Sequence, residues 1–292
     1  MIWSWAGGAM EVAAGRVTQV SVGGHEAFWT APKIEGAHPE GWNVGGDRLW
    51  LGPERDWFWA TDDPNDLAGH IVPASIDPGE WRTVRDELGH AEFTAHPVLR
   101  HRRNGTTTRV SITRHVYLRY ADAERVAYEV QTELTMGDAP DGQELSAWSV
   151  LQVPTGGVLE VDLSGPWAFR DYLKPVDPTR FTVGDHRAEI RLTGTTMGKI
   201  GVQPDVFGGW MRYTTEALTI ERAVEVQPQS RYCDHPLGAD PAGQGDALQV
   251  FEDDGHYGGY AELEHHSPAI RANGPKTILD VCRTAVTVRH QA

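Results

Sequence analysis

The chain has 292 residues, a formal net charge of −15, 40% hydrophobic and 23% charged residues. That length admits one large β domain or two ordinary ones, and the composition excludes global disorder. The acidic balance, with no basic stripe along the chain, excludes a nucleic-acid partner.

The opening MIWSWAGGAMEV has neither a basic region nor a long apolar run, so no signal peptide is expected. No segment is apolar over the length that spans a bilayer, and a soluble, cytoplasmic chain without membrane contact is the expectation. Residues 15–29, GRVTQVSVGGHEAFW, set two apolar runs around Gly23-Gly24 and predict a hairpin. In 43–54, NVGGDRLWLGPE, Gly45-Gly46 allow close backbone approach. Asp47 offers an acceptor, Arg48 a rigid donor fork, Trp50 a stacking face and Glu54 a further carboxylate. Sugar recognition uses that mixture of polar fork and flat apolar surface, and so does a salt-bridged strand with core tryptophans. No helix with phosphate-loop spacing follows the glycine pair.

Short helices are predicted only in NDLAGHI (65–71) and PGEWRTVRDELGH (78–90). Arg100-His101-Arg102-Arg103, followed by Asn104-Gly105, reads as a solvated hairpin end. Alternation then predicts strands over 108–121 and 125–136, antiparallel across a charged turn. The next, LSAWSVLQVP (145–154), carries Trp148 and Gln152 on one face, a candidate groove floor. Strands are predicted again over 158–163, 181–194, 217–226, 246–253, 260–267 and 277–290. Between them, Lys199 is one of four lysines in the chain and stands among glycines. It reads either as an inward donor or as an exposed turn residue. Asp234 and His235 fall in a Pro-bounded loop, and 237–246 is a loop between strands. Cys233 and Cys282 have no metal-ligand spacing and read as buried thiols, with one bridge between them left open.

In YAELEHHSPA (260–269), alternation puts Tyr260, Glu262, Glu264 and His266 on one face and Ala261, Leu263 and His265 on the other. A wet outer face explains two carboxylates there, and so does a binding or catalytic site. Like charges on one face raise at least one pKa. Glu264 and His266 with His25 or Asp234 have metal-ligand chemistry but no metal-site spacing, so neither metal nor cofactor is expected. The 11 Trp, against 7 Phe and 8 Tyr, suit a β core or a platform for sugar rings. No repeat and no low-complexity linker divides the chain. The expectation is a single all-β domain over 1–292, a large antiparallel sandwich.

Three stretches together resemble the galactose mutarotases (aldose 1-epimerases): the hairpin over 15–29, the "GG…W…PE" segment over 43–54, and Glu262-Leu-Glu264-His-His-Ser-Pro268. The resemblance implies a β-supersandwich with a sugar groove across one sheet. In that family a histidine protonates the ring oxygen and a late glutamate takes the anomeric hydroxyl proton. Carried over, Glu264 is the candidate base and His266 a proton donor from an unusual place. Asp47, Arg48, Trp50, Glu54, Trp148, Gln152, Lys199, Asp234 and Glu262 are candidate substrate contacts. The chain departs from the family at both histidines: Trp148 or Ser149 stands in the mid-chain strand, and Asp47-Arg48 near the glycine pair. An epimerase-like enzyme acting on a monosaccharide or small glycoside, a non-catalytic sugar-binding protein, and a glycoside hydrolase or lyase all stay open.

Overall fold

A computed structural model describes residues 1–31, 41, 43–167 and 169–290. Its strands pair antiparallel throughout and form two sheets of eleven strands each among the described residues. The first sheet runs from the N-terminal hairpins through Arg16–Val22, Asp47–Gly52, Glu144–Pro154, Tyr260–His266, Leu248–Glu252 and Gly198–Val202. The second runs through Leu218–Val224, Thr277–Val288, Arg125–Met136, Thr107–Ala121 and His90–Ala95 to an edge strand at Arg82–Glu87. Each sheet thus draws on early, middle and late parts of the sequence. Among the described residues, no helix is long and apolar enough to cross a membrane.

Period-two alternation builds the core. Leu151 and Val153, Ala261 and Leu263, Leu248 and Val250, and Ile200 and Val202 belong to one buried cluster with Val126, Val130, Val161, Met211 and Val286 of the second sheet. Gly23 and Gly24 both take positive φ, 58° and 80°, between strands that meet through Val22 and His25. This is the backbone that a tight hairpin demands and glycine supplies. Gly45 and Gly46 do allow close approach, but of the chain to itself: a Cβ on either would collide with the carbonyl of Trp29 or Val17. Cys233 and Cys282 are free and buried.

Two local expectations need correction. PGEWRTVRDELGH forms no helix; Arg82–Glu87 is a strand paired with His90–Ala95. Its Thr83-Val84 pair favours extended backbone and Leu88-Gly89 supplies the turn, with Gly89 at φ 81°. NDLAGHI holds only a single 3₁₀ turn, Leu67–Gly69, capped by Asp66. Conversely, 198–214 contains two strands that the sequence reading does not anticipate, Gly198–Val202 and Phe207–Thr214.

Asp47 is displaced from its expected role by the same alternation that positions Arg48. Its carboxylate points between the sheets, where it accepts from Tyr128 (2.9 Å) and Ser149 (3.3 Å). Arg222 lies 3.2 Å away and Arg114 3.7 Å. Burial opposes its charge, but the two guanidiniums outweigh that and hold the carboxyl below its ordinary pKa. Removing the acid would strand two buried cations. Asp47→Ala is expected to cost about 3–5 kcal/mol in urea unfolding. A loss below about 1 kcal/mol would show that the cations do not depend on it.

Candidate functional site

The opposite face of the first sheet carries the polar residues. Strand register sets Trp148 beside both Trp50 and His266, Gln152 beside Glu262, and Lys199 beside Phe251. Phe251 in turn pairs with Glu262, and Gln249 with Glu264. The helical turn Glu54–Trp57 and residues 58–77 cover part of this face through Phe58, which packs against Trp50 and Trp148. With Trp29 and Phe251 packed on Tyr260, and Ala261 and Leu263 in the core between the sheets, Tyr260–His266 is buried at every position and is no wet outer face.

Arg48 organises one half. It donates to Glu262 at 2.6 Å and to Gln152 at 3.1 Å, and its guanidinium lies 4.3 Å from the Trp50 ring centroid. Gln152 also donates to Glu262 and to Asn43. The early and late segments therefore meet, through a buried ion pair. Burial raises the pKa of Glu262 despite the pull of Arg48 and Lys199.

Lys199 organises the other half. Its ammonium sits 2.8 Å from Glu54 Oε2, 3.3 Å from Glu264 Oε2 and 4.4 Å from the centroid of the Trp148 ring. The second oxygen of Glu54 accepts from Trp59 at 3.0 Å and lies 3.2 Å from His70 Nε2. Burial disfavours both charges, yet the pair prevails: Lys199 is held above the usual lysine range and Glu54 below the usual carboxylate range. Glu264 is fully buried and accepts from Trp148 Nε1 at 2.7 Å. Burial pushes it up to about 8, aided by Glu262 and Glu54 and resisted by Lys199.

Beneath these groups His266 stacks on Trp148, with ring centroids 5.2 Å apart, and its Nδ1 lies 3.3 Å from Ser146 Oγ. Gly52 makes room there, since a Cβ would crowd both Ser146 and His266. His266 Nε2 is 3.8 Å from Asp234, and burial together with Lys199 keeps the ring neutral. Asp234 accepts from the Glu54 amide and from Gln249, each at 2.5 Å. Burial and the Glu54 charge push it up to about 7. Two buried carboxyls thus titrate near neutrality, an arrangement found at functional sites more often than elsewhere.

A hollow of about 540 Å³, its mouth included, opens above this network. Aromatic walls come from Trp50, Trp59, Trp148, Phe251, Tyr257 and Tyr260; Glu54, His70, Lys199 and Glu262 supply the polar surface. Glu264 does not reach it. Lys199 and Trp148, which do, both hold its Oε2.

The sheet therefore gathers Arg48, Trp50, Trp148, Gln152, Lys199, Glu262, Glu264 and His266 on one face, with Glu54 and Asp234 entering from covering loops. Asp47 alone among the candidates is turned away. His70, Trp59, Tyr257 and Gln249 were not expected. Only Gln249 had a sequence signal, its alternation with Phe251 along 246–253. His70 lies in a loop whose path no local pattern dictates.

No protein-family model matches the chain, and no curated protein matches it in sequence. Solved structures do match in shape. A galactose mutarotase related enzyme from Lactobacillus acidophilus is 9% identical, with a TM-score of 0.52 over 99% of this chain and 97% of its own. A GalM/aldose epimerase homologue from C. elegans is 9% identical, with a TM-score of 0.51 over 100% and 99%. The fold is galactose mutarotase-like, as the three sequence stretches implied.

The raised pKa of Glu264 has a pH signature. Between the ordinary carboxylate value of 4.5 and about 8 the folded chain keeps a proton that the unfolded chain releases. Its contribution to stability is therefore whole below the lower value and is lost as pH rises to the upper one. Over that window the unfolding free energy of the wild type is expected to fall relative to that of Glu264→Gln, by up to about 1.4 kcal/mol per pH unit. Parallel pH profiles for the two proteins would contradict a raised Glu264.

Proposed function

We propose that the protein binds a monosaccharide or small glycoside in the aromatic hollow over Lys199. The observation that carries this reading is the combination of tryptophan and tyrosine faces with a fixed ammonium and carboxylates in one small hollow. Sugar rings present C–H faces that stack on indoles and hydroxyls that need donors and acceptors at set positions. Lys199 is the donor, Glu54 and Glu262 are acceptors, and the partly exposed rings of Phe251 and Tyr257 carry the sugar, with the buried Trp50 and Trp148 behind them. The mutarotase-like fold supports the same reading.

Lys199 and Glu54, two of the charged groups lining the hollow, suit binding rather than proton transfer. A lysine held above its usual range is a poor acid, and a glutamate held below its usual range is a poor base, because efficient acid–base catalysis needs pKa values near the working pH. A second reading, ring opening by an epimerase-like enzyme, is favoured by Glu264 and Asp234, which titrate at about 8 and about 7. It requires Lys199 to move aside so that Glu264 meets the anomeric hydroxyl.

Calorimetric titration across a panel of aldoses and methyl glycosides tests the first reading. At least one sugar is expected to bind, and Tyr257→Ala, which removes a partly exposed wall, is expected to weaken it by about tenfold. No heat from any sugar at tens of millimolar would overturn the proposal. Polarimetry separates the two readings: a binder leaves the spontaneous mutarotation rate unchanged. An enzyme accelerates it and loses that acceleration in Glu264→Gln with affinity retained.

A further inference from the structure

On the outer face of the second sheet, away from the hollow, lies a cluster with different chemistry. His90 and Glu92 alternate along His90–Ala95, and His115 and Tyr117 along Thr107–Ala121. Register sets Glu92 directly beside His115 and His90 beside Tyr117. Alternation sends Ala91, Phe93 and Val116 into the core and leaves these four side chains on the other side. His90 Nε2 and His115 Nδ1 are 3.2 Å apart, and His115 Nδ1 is 3.9 Å from Glu92 Oε2. One ligand atom from each of the three residues falls within 4.8 Å of the others, and no other such trio occurs among the described residues.

We propose that His90, Glu92 and His115 bind one divalent transition-metal ion of the zinc class.

The spacing is that of a coordination sphere. Two nitrogens, each about 2.0–2.1 Å from a tetrahedral ion, lie about 3.3 Å apart, which is the separation of the two imidazoles. The carboxylate needs to swing inward by about an ångström to complete a third bond of about 2.0–2.2 Å, a movement within reach of a glutamate rotamer. Imidazole nitrogens with one carboxylate suit zinc, nickel or copper better than calcium or magnesium, which prefer oxygen ligands. Three protein ligands leave the remaining positions to water.

The surroundings fix the rings and leave the carboxylate accessible. Tyr117 stacks on His90 at 4.4 Å between centroids with planes 19° apart, and lies 5.9 Å and 16° from His115. Each imidazole is thus close to parallel with the Tyr117 ring, and the two are tilted by 33° to each other with centroids 5.5 Å apart. Arg85 is the competing cation, but it bonds Glu87 at 2.9 Å and stands 3.9 Å from Glu92. An ion here would clamp the His90–Ala95 strand to its inner neighbour, next to the exposed edge strand Arg82–Glu87. The competing account of these contacts is a plain hydrogen bond between the two imidazoles with Glu92 as the cross-strand neighbour of His115.

Metal binding to the untagged, chelator-stripped full chain decides the matter. Zn²⁺ is titrated in competition with a chromophoric chelator, and Co²⁺ serves as a spectroscopic substitute. The wild type is expected to take one equivalent and to show visible Co²⁺ bands. Loss of an outer-shell partner alone costs 10–100-fold in affinity, so His90→Ala and His115→Ala, each removing a ligand, are expected to cost at least about 100-fold. Glu92→Gln is expected to weaken binding by roughly tenfold. His186→Ala, at an exposed turn elsewhere, is expected to leave binding unchanged. All four positions are at least partly exposed, and circular dichroism confirms that each variant is folded. No Zn²⁺ uptake by the wild type, or equal affinity in the wild type and the two histidine variants, would overturn the site and leave an ordinary imidazole pair.

Discussion

A single ammonium group holds the candidate site together. Lys199 is buried among Glu54, Glu264 and the face of Trp148, on a strand flanked by Leu248–Glu252 and Arg170–Asp171. Taking such a charge out of water costs several kcal/mol, so it is tenable only with close counter-charges and a polarisable face. Those partners arrive from sequence positions more than 50 residues away on either side. The pairing therefore docks the helical turn Glu54–Trp57 onto the sheet, closes the floor of the hollow and covers Glu264. It also sets the pKa pattern, since the groups it touches at the hollow stay ionised. Glu264, deeper and crowded by other acids, leans toward its neutral form.

Beneath that site the two faces of one sheet do different work. Adjacent residues in a strand point oppositely, so Asp47 closes an ionic cluster between the sheets while Arg48 pairs with Glu262 on the other side. His265 and His266 divide in the same way, the first toward Asp280 and the second toward Trp148. Polar groups thus occupy both sides of a strand whose every residue is buried, and hydrogen bonds and ion pairs carry much of what apolar packing carries elsewhere.

Much of this was legible in the sequence, because strand alternation is a local rule. It identified the long strands, the hairpin at Gly23-Gly24 and the shared face of Glu262, Glu264 and His266. Applied strictly, it would also have separated Asp47 from Arg48. What it does not convey is which face another segment covers, so burial of the acidic strand could not be read from the strand itself. The edge strand at Arg82–Glu87 was obscured by its charged, exposed residues, which carry no apolar period. His70 and Trp59 join the site through a loop positioned by tertiary contacts to Glu54. Shared fold with the mutarotase-like structures does not extend to the expected histidines: Trp148 occupies the mid-chain strand and carries a stacked imidazole from the neighbouring one.

The most direct test is a crystal structure of the protein soaked in a mixture of monosaccharides. The account requires a sugar ring in the hollow against Phe251 or Tyr257, with a hydroxyl within about 3 Å of Lys199 Nζ. A ring bound elsewhere on the molecule, or a hollow without sugar at saturating concentration, would contradict it.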